Sequence, residues 1–221
     1  MRASPLLRAA LALLLVTAAR AQVEDAGGDV LTAHDDHGDI AAVYNEFDGR
    51  AHSLQVVRLT ARGDTVWNVL HSDGNYEKAY AAAMDSQADV LVAGTRVADG
   101  ARTFLVLEYD HNGNLSWETV GEDHDCTAMF LAVDRDDNAV AAGVCRQGNS
   151  TPILIAKYSP DGRELWTQTY DGGGRNYLHA LQVDYSGNAM LTVETVFGDY
   201  RDGSYAMRTA VFSPQGRQLD V

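Results

Sequence analysis

The chain has 221 residues, 46% of them apolar, enough for a sizeable core and too apolar for a disordered or collagen-like chain. Seventeen Lys+Arg stand against 31 Asp+Glu, a net charge of −14. That charge speaks against nucleic-acid backbones and anionic membrane surfaces as partners and favours cations or cationic partners.

The first 21 residues combine a basic start at Arg2 and Arg8, an apolar run from Ala9 to Ala19, and Ala19-Arg20-Ala21 before Gln22. This predicts a cleaved signal peptide rather than a membrane anchor, because the run falls short of the roughly 20 residues needed to span a bilayer. Its removal takes away three arginines and no acid, so the net charge moves from −14 to −17. The mature chain, 22–221, is therefore expected to be secreted, periplasmic or at the cell surface.

An internal repeat fills that mature chain. Trp67, Trp117 and Trp166 are spaced by 50 and 49 residues, and Asp35, Asp85, Asp134 and Asp184 by 50, 49 and 50. Gly63, Gly113, Gly162 and Gly216 follow at 50, 49 and 54, so the last unit carries a short insertion. Four copies result, with approximate boundaries at 22–75, 76–125, 126–175 and 176–221.

Each copy reads as four strands. In the third, Ala128 to Val133 and Ala139 to Val144 flank the turn 134–138. Pro152 to Tyr158 follows, and Ser159-Pro160-Asp161-Gly162 turns the chain into Glu164 to Tyr170. Proline presets φ, while Asp, Asn and Gly accept turn conformations that bulkier residues resist. Runs such as Asp89 to Gly94 and Thr103 to Leu107 are almost continuously apolar, which predicts strands buried on both faces. The expected fold is all-β, a β-propeller-like array of four four-stranded antiparallel blades, closed or open. A two-sheet β-sandwich is the alternative.

Tyr158-Ser159-Pro160-Asp161-Gly162-Arg163-Glu164-Leu165-Trp166, Tyr109 through Trp117, and Asp184-Tyr185-Ser186-Gly187-Asn188 together resemble the SBBP-type bacterial β-propeller repeat. The resemblance covers nearly the whole mature chain and implies a scaffold without a catalytic signature of its own. Two departures leave closure open: the family usually has more than four blades, and Asp220 stands where the other copies carry Trp.

The repeated tryptophans are expected to pack the same way in every blade rather than to form a stacking platform for sugars or cofactors. The turn acids, such as Asp110 with Asn112 and Asn114 or Asp134 with Asp136 and Asn138, are expected to serve turn chemistry. Neither run supplies the Gly and late Glu of a calcium loop. No cofactor is indicated, although calcium or another divalent cation remains compatible with so many acids. Cys126 and Cys145 fall opposite one another across the first hairpin of the third copy, and in an exported chain they are expected to form a disulfide. Asn114-Leu115-Ser116 and Asn149-Ser150-Thr151 match the glycosylation sequon.

The turns joining strands one to two and three to four are short and alike. The connections between blades, and from strand two to three, differ between copies and share the opposite face, where a site is expected. That face receives His71, Asp73, Asn75 and Glu77; Glu122, Asp123, His124 and Asp125; Asp171, Arg175, Asn176 and Tyr177; and Asp199, Tyr200, Arg201 and Asp202. His124 between two acids is the sharpest single candidate, as a metal ligand or an oriented base. No nucleophile elbow, zinc-protease helix motif or phosphate loop is present, so no catalytic residue is assigned. The function expected is a non-enzymatic scaffold binding a protein, a polysaccharide or a cation through this acidic face. The alternative is an extracytoplasmic hydrolase or lyase using metal or carboxylates. Nucleic acid is not an expected partner, and an open array would favour a homo-oligomer.

Overall fold

A computed structural model describes residues 30–47, 52–148, 150–198 and 203–219, without the side chains of 122–124. Four antiparallel sheets follow one another along the chain, each with its strands in sequence order. The first holds β1 (Val30–His34), β2 (Ile40–Phe47), β3 (His52–Leu59) and β4 (Thr65–His71). The second holds β5 (Tyr76–Met84), β6 (Val90–Ala98), β7 (Ala101–Tyr109) and β8 (Leu115–His124). β9 (Cys126–Val133), β10 (Ala139–Cys145), β11 (Ile153–Tyr158) and β12 (Glu164–Tyr170) make the third, and β13 (Arg175–Val183), β14 (Ala189–Phe197), β15 (Ser204–Phe212) and β16 (Gln218–Leu219) the fourth.

Stacking is what buries these sheets. Val90 to Ala93 on β6 and Phe104 to Leu107 on β7 expose almost nothing, and alternate residues along them enter different cores. Val90, Val92, Leu105 and Leu107 pack towards Val43, Leu54, Val56 and Trp67 of the first sheet. Leu91, Ala93, Phe104 and Val106 pack towards Ala128, Ala139, Ala141 and Tyr158 of the third. A period of two therefore sends one strand's apolar side chains to both neighbours. The inner strands pack in series, β1 on β5, β5 on β9 and β9 on β13, whereas β13 and β1 share no comparable contact. The architecture is the propeller-like array, and the sandwich alternative is set aside.

The repeated residues latch the blades together. Trp67 Nε1 donates to the His111 carbonyl at 3.1 Å, Trp117 to Pro160 at 3.1 Å and Trp166 to Pro214 at 2.9 Å, each in the next blade's outer turn. In those turns Gly113, Gly162 and Gly216 take φ of 86°, 79° and 81°, and a Cβ on any of them would fall within 3 Å of the facing indole. Only glycine meets both demands, a left-handed backbone and a flat ring laid upon it. Asp220, at the fourth tryptophan's repeat position, lies outside the described residues.

The other repeated position is equally local in its purpose. Asp35, Asp85, Asp134 and Asp184 each accept from the backbone N–H groups two and four residues on, at 2.8–3.0 Å. Asp110 does the same for Asn112 and Asn114. These carboxylates close turns.

Candidate functional site

The first hairpin of each later blade carries one facing pair near its loop end, with three different chemistries. Blade three pairs Cys126 with Cys145 in the expected disulfide. Blade four pairs Asn176 with Thr195, whose hydroxyl donates to Asn176 Oδ1 at 2.8 Å. Blade two pairs Glu77 with Arg96, and there a charged cluster is built.

Arg96 is the hub of that cluster. Its Nη2 lies 2.6 Å from Glu77 Oε1 and 2.5 Å from Glu118 Oε1, and its Nε lies 3.0 Å from Asp73 Oδ2. His71, the last residue of β4, meets the same acids from blade one. Its Nε2 sits 3.3 Å from Glu77 Oε2 and 3.5 Å from Glu118 Oε2, and its Nδ1 lies 2.7 Å from the Tyr109 hydroxyl. The Nε2 and Glu77 Oε2 atoms are buried and face each other without a well-aligned hydrogen bond. Chain topology explains the gathering: β4 leaves blade one on this face, β5 and β6 present their loop ends to it, and Glu118 reaches it from within β8.

The electrostatics follow from burial and partners. Burial disfavours a charged His71, yet the Glu77 carboxylate and the further negative charge of Glu118 outweigh both that and Arg96, raising its affinity for a proton. Burial likewise works against the Arg96 charge and is overcome by Glu77 and Glu118. Asp73 is held below the ordinary carboxylate range, because hydrogen bonds from Asn75 and the Arg96 charge outweigh its partial burial. Arg96 and a histidine of raised proton affinity thus face three carboxylates. Glu77 is fully buried, while the Glu118 and Asp73 side chains reach solvent at 22% and 32% exposure. Two solvent-reaching carboxylates on one guanidinium, backed by an imidazole of raised proton affinity, can exchange protons with a bound molecule.

The expected site residues divide among different places. His71, Asp73 and Glu77 join this cluster, but Glu77 is a buried ion-pair partner rather than an open-face acid. Its pairing with Arg96 was hidden because nothing in the sequence marks position 96 as facing 77. Arg96, Tyr109 and Glu118 were missed altogether; the strand register that brings them in is legible only after the repeat is folded. Asn176 is also buried, knitting Thr151, Gly172 and Asp171 together through its amide. Asp171 caps Gly173, and Arg175 opens β13 in an exposed position. Asp125 takes a left-handed φ of 62° in the β8–β9 connection, its N–H bonded to the Arg102 carbonyl at 2.6 Å. The side chains of Glu122, Asp123 and His124 lie outside the described residues, as does Tyr200. Among the described residues no three His, Cys, Asp or Glu side chains converge in a metal-holding arrangement.

A concavity of about 440 Å³ opens on the short-turn face between the turns after β1, β5 and β9, with His34, His37, Asp85 and Arg135 in its wall.

No protein family and no curated protein matches the chain. Among solved structures it is similar to a polysaccharide lyase of family PL25, an ulvan lyase bound to a GlcA-Rha3S chain. The TM-score is 0.51 at 11% identity over 87% of this chain. It is also similar to an endo-arabinase from Bacteroides thetaiotaomicron (TM-score 0.46, 14% identity, 87% of this chain and 81% of that one). A third likeness is to a Bombyx mori GH32 β-fructofuranosidase (TM-score 0.42, 11% identity, 83% of this chain and 46% of that one). This chain spans 57% of the length of the ulvan lyase. At such identity the likeness reaches the fold and stops there: a propeller-type array of four-stranded blades.

Proposed function

We propose that the protein is an extracytoplasmic polysaccharide hydrolase whose chemistry lies at Asp73 and Glu118. The observation that carries this reading is the Asp73–Arg96–Glu118 bridge, two carboxylates open to solvent on a shared, half-buried cation. A saccharide substrate is supported by the ulvan lyase likeness, because that propeller is named for a polysaccharide. Elimination on an acidic sugar, the lyase route, fits poorly. It calls for a cation free to meet the uronate, whereas Arg96 already serves three acids, and the net charge of −14 repels an anionic chain. Hydrolysis of a neutral chain needs an acid and a carboxylate on opposite sides of the bond. The proton comes from His71, 3.5 Å behind Glu118, and the Glu118 carboxylate relays it to the leaving glycosidic oxygen as the C–O bond breaks. Asp73, kept ionised, takes a proton from the water whose oxygen joins the anomeric carbon, and that proton returns to His71 as the product leaves.

The experiment is digestion of neutral and uronate-containing polysaccharides by the secreted protein and by Glu118→Gln. Reducing ends released from a neutral polymer, without unsaturated uronate, are expected, and Glu118→Gln should lower kcat by at least about 100-fold. No cleavage of any polymer, or full activity in a folded Glu118→Gln protein, overturns the proposal. A non-enzymatic binding scaffold is the second reading, favoured by the complete burial of Glu77 and by Arg96 having every partner within the chain.

A further inference from the structure

Three aromatic rings stand in line on the same face, beside the charged cluster and belonging to none of the blade cores. Phe47 ends β2 and His52 opens β3, and the two pair across that hairpin with ring centroids 4.5 Å apart and planes 27° from parallel. Tyr76, the first residue of β5 in the next blade, continues the line at 4.3 Å from His52. Phe47 is 61% exposed and Tyr76 37%. Their positions are fixed rather than accidental. Two residues before Phe47, Asn45 clamps the Ala79 backbone, accepting from its N–H at 2.7 Å and donating to its carbonyl at 3.1 Å. The end of β2 is thereby held against the start of β5. Strand alternation then turns Tyr76 outward and its neighbour Glu77 into the Arg96 cluster.

We propose that Phe47, His52 and Tyr76 form a stacking platform for successive rings of a neutral saccharide chain, leading it to Asp73 and Glu118; this rests on the saccharide reading above. Scattered exposed apolar side chains need no explanation, but three rings in continuous contact, from two blades and left open on a strongly acidic molecule, make a patch with a use. A sugar ring offers apolar C–H faces to lie on such rings and hydroxyl edges that donate to nearby carboxylates. Asp73 is three residues from Tyr76 and exposes its carboxylate. The charge argues for a neutral occupant, since the face exposes the carboxylates of Asp73 and Glu118 within a molecule at −14. The tryptophans offer no rival platform, because each indole is laid on a glycine of the next blade.

The test titrates the secreted protein with soluble gluco-, xylo-, galacto-, manno- and arabino-oligosaccharides, and with a glucuronate-containing oligosaccharide as the charged control. Binding is read by calorimetry and by ring-proton NMR shifts. At least one neutral oligosaccharide should bind. Phe47→Ala and Tyr76→Ala should each weaken it about tenfold, with unchanged melting because both residues are exposed. Binding of every oligosaccharide unaffected by the two alanine variants overturns the platform, as does the absence of any binding, which would leave the patch to a protein partner. Binding that depends on Phe47 and Tyr76 without any cleavage keeps the platform and removes the hydrolase. Cleavage with KM unchanged in both variants keeps the hydrolase and removes the platform.

Discussion

Glu108 shows how much one residue can change at a repeated position. Its counterparts in blades one and three are cations: Arg58 bonds Asp39 at 2.7 Å, and Lys157 bonds Asp134 at 2.7 Å deep in the blade. In blade two the same place holds an acid that is 3% exposed, with Oε2 buried and without a hydrogen-bond partner. Burial, then the charges of Asp85 and Asp89, push the Glu108 carboxyl from 4.5 up to about 8. Because the folded protein holds this proton more tightly than the unfolded chain, the group favours folding least at high pH. Its contribution declines from about pH 4.5 to about pH 8 and is level above that. Glu108→Gln should therefore be more stable than wild type at pH 8 and match it near pH 4, and Glu108→Lys should recover the ion pair of blade three. Urea midpoints across that range decide it; a wild-type profile unchanged by Glu108→Gln would mean that Glu108 is ionised in the fold.

At the scale of elements, the inter-blade latch and the hairpin clasp separate two kinds of stabilisation. Trp166 is 8% exposed and lies on Gly216 over the fourth-blade turn, whereas Trp117 is only half-buried on Gly162. Trp166→Ala should cost about 3–5 kcal/mol and Trp117→Ala less, an order that chemical denaturation can read directly. Equal costs would show that the indole hydrogen bond, common to both, outweighs burial. The clasp is covalent in blade three alone among the described residues, where Cys126 and Cys145 are 19 residues apart. Reduction should destabilise that hairpin by about 3 kcal/mol and raise amide exchange first in β9 and β10. Exchange that rises uniformly would mean that the four blades open as one unit.

For the whole molecule, the two ends of the array differ. The rear of blade one is apolar, with Ile40, Ala42, Tyr44, Val57 and Leu59 buried. The outward face of blade four is mixed, with Met190, Val211, Met207 and Tyr205 beside Thr192, Thr209 and Glu194. Ala142 and Ile155, a facing pair that drives blade three onto blade four, correspond to the facing pair Thr192 and Thr209. Polar residues at the centre of a terminal face oppose the addition of a further sheet. Thr192→Ala with Thr209→Ile should convert this end into a sticky one, giving larger species in sedimentation velocity at concentrations where wild type sediments as one species through that face. A variant that sediments as wild type would show that blade four's face is already covered.

The repeat, the all-β class, the blade number, the turn chemistry and the disulfide were legible in the sequence because each is local or periodic. A tryptophan every 49 or 50 residues, an Asp that caps its own turn, and two cysteines equidistant from a hairpin turn carry their reasons within a short stretch of chain. The likeness to the SBBP-type repeat stays a proposal resting on those same spacings. What folding decided was which charges meet. Glu77 reads as a loop acid until the register places it opposite Arg96, and Glu118 belongs to a strand whose neighbours fix it only after blade two closes. Phe47, His52 and Tyr76 are separated in sequence and come from two blades, so no pattern along the chain could bring their rings into line. Side-chain period sets what a strand buries; the stacking of one sheet on the next sets which residues of different blades face the same water, and the candidate site is made of that second kind of contact.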